Sequence, residues 1–371
     1  MVMKDSDNMM THIVGEIVVD GKGAFLNGGG IDRRLEYRNY TLPKLCSAGN
    51  ADFPYWSPQA WRNALRCTFS ENTGWQRSVL RPEKQNQKGN TSKVVGELNP
   101  LDFAEDDIFG YMNTQAKDSK SKSDDDVVEG KNAKPVKTTA RTSVFSASPL
   151  MSLRRSGWQC EDHGYVHLEG EGTPLPYNTM FYNAPLAGIF GLNMSRLGVF
   201  KNVGDRVELT DALVEKGLKS GILIKVSDNE YAFADTALKY TRAAELMKAL
   251  AQLRGGAKQA SFATDVSPKA MIFAGLNCGN LVFNSCFEDN PVSGKPRMLV
   301  DVLGEIIGDH KNKVVTPVYI GIRTGYLDNE DDIKSFVEKF NSSSDGDLPQ
   351  LILTTPIKAV DKFVASYLKV D

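Results

Sequence analysis

The stretch KDSKSKSDDDVVEGKNAKPVK, residues 117–137, constrains the fold most. Valine is its largest apolar side chain. Such a segment cannot bury enough surface to offset the entropy lost on ordering. The sequence therefore predicts a mobile loop tip here, and a core assembled from segments on either side. Upstream, HIVGEIVVDG (12–21) reads as a strand of β-branched residues ended by Asp-Gly. FLNGGGIDRRLEYRN follows as a glycine-hinged loop. Ser57 and Pro58 then form a helix start, and Trp61, Leu65 and Phe69 recur at i, i+4, i+8 as a buried stripe. Residues 75–100 are polar and basic, and 107–112 form a short apolar island.

Downstream, RTSVFSASPLMSLRRSGW (141–158) reads as two strands with a turn, and AGIFGLNMSRLGVF (187–200) as one long strand. A helix follows with Leu246, Met247, Leu250 and Leu253 on one face, stopped by Gly255. AKQASF is a polar loop, and KAMIFAGLNCGNLVFNSCF a strand pair about Cys-Gly-Asn. The tail reads strand, helix (329–340), strand, helix. This order predicts an α+β fold, a ferredoxin-like core carrying long insertions.

Several chemistries are excluded by the motifs. No P-loop is present, and the glycines at 28–30 precede Ile-Asp-Arg-Arg rather than a dinucleotide-binding helix. The sequence HGYVH (163–167) is a poor helix for a metal-binding histidine pair. Five scattered cysteines without a CxxC argue against a zinc site or disulfide framework and fit a reducing cytoplasm. Cys278 and Cys286 are expected as buried apolar groups. The formal net charge of -2 excludes nucleic-acid binding through bulk charge, but the charges are segregated. From Lys131 to Trp158 there are six basic residues and no acidic one.

The cations keep particular company. Arg33, Arg34, Tyr37 and Arg38 share the glycine loop. Gln59, Arg62 and Arg66 lie one step round the helix from its apolar stripe, and Arg141, Phe145, Arg154 and Arg155 follow. Cations that track phosphates, mixed with amides and aromatics that meet bases, suit single-stranded nucleic acid. The helix start at Ser57 could add its amides. Residues 131–157 are expected to form a hairpin with a basic stem and an apolar tip of Phe145, Leu150 and Met151, able to wedge between bases.

These segments, in this order, resemble the crRNA-binding backbone subunit of type I CRISPR effector complexes (Cascade), the Cas seven family in its DevR-like branch, and the resemblance implies subtype I-B. The resemblance rests on the strand and loop of 12–39, the helix SPQAWRNALR, the segment DDIFGYM, and AGIFGLNMSRLGVF with the later helix, its Gly-Gly turn and FAGLNCGNLVFNSCF. It spans roughly residues 12–290.

The resemblance implies an RRM-like palm (12–74 and 186–371), a fingers insertion (75–106) and a thumb insertion (113–185). It implies a cytoplasmic, non-catalytic protein with no cofactor or metal. The partners would be guide crRNA, the target DNA strand paired to it, further copies of the same chain in a helical filament, and other Cascade subunits. The implied RNA contacts are Arg33, Arg34, Arg38, Ser57, Gln59, Arg62, Arg66, Lys137, Arg141, Phe145, Met151, Arg154, Arg155, Lys258 and Gln259. Each thumb would displace guide nucleotides from pairing at a regular interval. Type III relatives cut RNA with an aspartate in the first loop, and the GGID here resembles that loop. A metal-dependent endoribonuclease using Asp32 is therefore the alternative.

Overall fold

The computed structural model describes residues 9–31, 40–83, 93–113, 138–165, 169–170, 172–173, 176–204, 206–343 and 348–368. The tract 117–137, the loop 32–39 and His167 lie outside them. The fold is mixed α+β. The chain divides into two compact units. One holds the chain up to Gly74, Ser146–Met194 and the chain from Ala243; the other holds Trp75–Phe145 and Ser195–Arg242.

The first unit is built on a large sheet centred on His12–Ala24. This strand pairs antiparallel with Pro176–Asn193 on one side and Pro268–Leu276 on the other. Ile13, Val14, Ile17, Val18 and Val19 are all fully buried, so both faces of the strand are covered. Gly15 sits opposite Phe190 and Phe273. A Cβ there would lie 2.4 Å from the Ile272 carbonyl oxygen and 2.7 Å from the Phe190 ring, so only glycine fits. Asp20-Gly21 does not end the strand. The pairing with Pro176–Asn193 continues past a register shift to Ala24, because a bulge absorbs the turn residues.

One face of the sheet packs Val14, Val18 and Ile272 against Leu303, Ile307 and Ile333. Those last residues come from the helices Val300–Asp309 and Glu330–Ser343. Phe273, Tyr319 and Phe363 form an aromatic cluster with centroids 5.3–5.4 Å apart. The tail is thus integral to the sheet: Val318–Ile322 pairs with Pro268–Leu276, and Leu351–Thr354 runs parallel to Val318–Ile322. On the far side Leu150–Ser152 pairs with Pro176–Asn193 and with Ala51–Trp56.

The second unit has a sheet ordered Leu223–Ser227, Glu230–Phe233, Val199–Val203, Arg206–Val207, Thr138–Arg141 and Tyr111–Asn113. Phe200, Leu209, Leu223, Phe233 and Leu101 form its core. The apolar island of 107–112 is divided: Asp107–Phe109 end the helix Ala104–Phe109, whose six residues are all buried, and Tyr111 and Met112 open the strand Tyr111–Asn113.

Three expectations need correction. The stretch 187–200 is not one strand: pairing stops at Asn193, and a turn reaching Gly198 at φ +71° starts a new strand at Val199. Residues 269–287 are not a strand pair. Pro268–Leu276 pairs with His12–Ala24 and Val318–Ile322, and Phe287–Asp289 pairs with Pro296–Met298 instead. Leu150 and Met151 belong to the large sheet rather than to a hairpin tip, because Leu150 faces Trp56 and Met151 faces Ala187 across the pairing.

Candidate nucleic-acid interface

The helix Pro58–Thr73 organises the site. Ser57 occupies the N-cap in extended conformation, Pro58 takes the first turn, and Gly74 closes the helix at φ +74° with its N–H on Ser70 O. Trp61, Leu65 and Phe69 are buried as the stripe requires, and Trp61 Nε1 donates to Ser148 O at 2.8 Å. The helix is therefore fixed on the sheet by one face. Ser57 is buried, and with the Asn27 carboxamide turned to satisfy its neighbours, the amide oxygen accepts from the Ser57 hydroxyl at 3.3 Å and from its N–H at 3.2 Å. Ser57 thus anchors the helix start rather than presenting a hydroxyl outward.

Gln59 is exposed and Arg62 and Arg66 are half-buried on an adjoining flank. Burial lowers the Arg62 guanidinium from its ordinary value, and repulsion from Arg66 lowers it further. The two charges are held together, one helical turn apart.

A cleft of about 480 Å³ opens on another flank of the same helix, with Asn63, Cys67 and Glu71 facing Arg254 and Gly255–Gly256. Arg254 NH2 binds Glu71 at 2.8 Å and Asn72 at 2.9 Å. Gly256 has φ +109°, and a Cβ there would meet the Leu26 side chain at 2.7 Å. Beyond this turn, Lys258 Nζ donates to Thr179 Oγ1 at 3.0 Å and stands 4.9 Å over the Phe25 ring. Gln259 Nε2 donates to Gly255 O at 2.6 Å. Lys258 is thus engaged with Thr179 and Phe25, and Gln259 within the turn itself.

Arg141 is corrected from a phosphate contact to a buried structural centre of the second unit. It is 2% exposed. Its Nε donates to Asp107 O at 2.9 Å, NH1 to Glu208 Oε2 at 3.0 Å, and NH2 to the Asp107 carboxylate and, at 2.9 Å, to Arg196 O. Arg242 NH1 reaches the other Asp107 oxygen at 2.8 Å, and Arg196 NH2 binds Glu208 at 2.5 Å. No donor of Arg141 is left to reach a phosphate. Phe145 is likewise corrected from wedge to core: it is 1% exposed and meets Phe109 edge-on at 5.8 Å.

Met151 is half-buried in its strand. Arg154 is tied to Asp289 by two bonds of 3.2 Å, to Asn183 O at 3.0 Å and to Gly294 O at 2.7 Å. Arg155 is exposed, with NH2 on Asn50 at 3.0 Å. Arg33, Arg34, Tyr37, Arg38, Lys137 and Asp32 lie outside the described residues. Arg62 and Arg66 lie close together and Gln59 one turn before them on the same helix, while Arg141, Phe145 and Arg154 are held by partners within their own units.

The sequence reading missed the Asp107–Arg242 pair. A signal existed, because Arg242 lies four residues before Leu246 and so falls on that helix's apolar stripe. Among the described residues no group of three side chains could hold a metal ion. No helix among them is long and apolar enough to cross a membrane.

No protein-family model matches this chain, and neither does any curated protein. Among solved structures, a chain described as "CRISPR RNA-guided surveillance complex, pre-nicking" matches with a TM-score of 0.47 and 10% identity, over 96% of this chain and all of the other. Another, described as "CRISPR RNA-guided surveillance complex", matches with a TM-score of 0.42 and 11% identity, over 96% of this chain and 99% of the other.

Proposed function

We propose that this protein is a non-catalytic, repeated backbone subunit of a type I, I-B-like, CRISPR surveillance complex that holds guide crRNA for pairing with target DNA. The observation that carries the reading is the pair Arg62 and Arg66, fixed one turn apart on a helix whose other face is anchored to the sheet. Two guanidinium groups that repel one another gain from a polyanion lying across both. The first sheet supports the palm part of the reading. Strand His12–Ala24, helix Pro58–Thr73, strands Leu150–Ser152 and Pro176–Asn193, helix Thr236–Ala251 and strand Pro268–Leu276 follow as βαββαβ. In the sheet these four strands stand fourth, first, third, second, all antiparallel, which is the ferredoxin-like order. The order of sequence motifs from 12 to 290 supports the family.

The full chain expressed with a guide RNA and its operon neighbours should purify as a multi-subunit ribonucleoprotein. A monomer that retains no RNA would refute the reading.

A further inference from the structure

The sheet of the second unit has two unlike faces. Side chains alternate along each strand, and cross-strand pairing sets which of them share a side. Leu223, Phe233 and Phe200 point to the core, and the Arg141 guanidinium lies over the Phe200 ring on that side. The residues between them point the other way. On this outer face Ile224 sits opposite Ala232, and Ala232 opposite Val199. Val226 follows Ile224 two residues on, at the bulged end of its strand. Val203 pairs with Arg206, Arg206 with Thr138, and Ala140 with Met112. The face thus runs from the edge strand Leu223–Ser227 to the opposite edge strand Tyr111–Asn113.

Its large apolar side chains stand in the open. Ile224 is 50% exposed, Val226 57%, Val203 63% and Met112 68%. Exposed apolar residues scattered singly are ordinary, but these four share one face of one sheet. Five strand spacings of about 4.8 Å set its edges roughly 24 Å apart. That breadth suits the apolar centre of a protein–protein interface of standard size. The charges on the face are already engaged: Lys201 with Glu230 at 3.3 Å, and Arg206 with Thr142 Oγ1 at 2.8 Å and Ala140 O at 3.4 Å. Such a surface does not suit a polyanion. Residues 114–137 join two strands of this sheet, but they contain no apolar side chain larger than valine and cannot supply a hydrophobic cover. The surface that fits is that of another folded chain.

We propose that a second copy of this chain docks on this face and covers Ile224, Val226, Val203 and Met112. The proposal deepens the repeated-subunit reading above and rests on it. A chain that repeats along one strand has to bury part of its own surface against the next copy, and this face offers an apolar centre for that contact with its charges already paired. The residues it uses are separate from Arg62 and Arg66, so self-contact and phosphate contact can be broken independently.

The test is sedimentation velocity of the full chain, alone over a range of concentrations and on a long single-stranded RNA, beside fluorescence anisotropy on an RNA short enough for one copy. The unmodified chain should self-associate and load the long RNA in several copies. Ile224→Asp and Val203→Asp, made separately, should each weaken association between copies about a hundredfold, because each places an unpaired carboxylate in the contact. Affinity for the short RNA and the circular dichroism spectrum should not change. Val292→Asp alters a side chain that is 95% exposed in the first unit and should leave association as it was. Unchanged association in both face variants, an equal loss in Val292→Asp, or a loss of short-RNA affinity would overturn the docking face and leave the arginine reading standing. An unmodified chain that binds the short RNA but never associates with itself would overturn the face and the repeat together. Association lost in the face variants, with no RNA bound by the unmodified chain, would support the face and refute the RNA reading.

Discussion

Removing the carboxylate of Asp107 should be among the most damaging single changes in the second unit. Asp107 is fully buried between Arg141 and Arg242, both also fully buried or nearly so, and it accepts from Gly198 N at 3.2 Å. In Asp107→Ala, Arg242 loses its carboxylate partner and Arg141 keeps Glu208 as its one carboxylate among the described residues, which it shares with Arg196. Leaving a buried charge without its partner costs about 3–5 kcal/mol, a large share of a domain stability of roughly 5–15 kcal/mol. Asp107→Asn keeps the acceptor but loses the charge, and should cost about half as much, since charge-assisted bonds are roughly twice as strong as neutral ones. Replacing the trio with apolar residues, Asp107→Leu with Arg141→Met and Arg242→Met, should recover most of the loss, because buried ion pairs barely repay their desolvation. Urea unfolding gives the overall cost. Hydrogen exchange at Thr138–Arg141 localises it to this unit, and Trp75, whose ring lies 5.4 Å from the Arg242 guanidinium carbon, is a fluorescent reporter beside the network. A cost below about 1 kcal/mol for Asp107→Ala, the level of an exposed ion pair, would refute the reasoning. So would a triple variant no more stable than the single one.

Glu16 is 3% exposed, and burial pushes its carboxyl up to about 7 despite the hydrogen bond it accepts from Cys286 N at 2.8 Å. The folded state then holds a proton that the unfolded state has released, so this contribution to stability is complete below the ordinary glutamate range and is lost as pH rises through about 7. Across that window the loss is roughly 3 kcal/mol. Glu16→Gln should remove that slope, and parallel stability–pH curves for the two proteins would count against it. Gly15→Ala should cost about 2 kcal/mol or more in chemical denaturation, because its Cβ would meet backbone and ring atoms on both neighbouring strands; a neutral effect would mean that the sheet yields there.

Much of the first unit is legible in the sequence, because it rests on local periodicity. The stripe Trp61, Leu65, Phe69, the proline at the helix start and the β-branched run of 12–21 all need only neighbours to be read. The failures are long-range. Arg141, among threonines and serines, looks like a solvated cation, and its burial is decided by Asp107 and Glu208, 34 and 67 residues away. Phe145 is equally suited to a wedge or a core, and Phe109 settles which. The break in 187–200 falls where pairing stops at Asn193 and a turn ending at Gly198 intervenes. The proximity of Arg62 and Arg66 is legible because helical spacing alone brings them together.

The salt dependence of guide binding tests the central claim most directly. Affinity of the full chain for a single-stranded RNA should be measured over a range of salt, for the unmodified protein and for Arg62→Ala with Arg66→Ala. If both arginines clamp phosphates, the double variant should bind unrelated sequences more weakly by a similar factor. Its log–log slope should be shallower by about 1.4, the share of two single-strand phosphate contacts. An unchanged slope and affinity in a variant with its fold intact would place this helix face against something other than RNA.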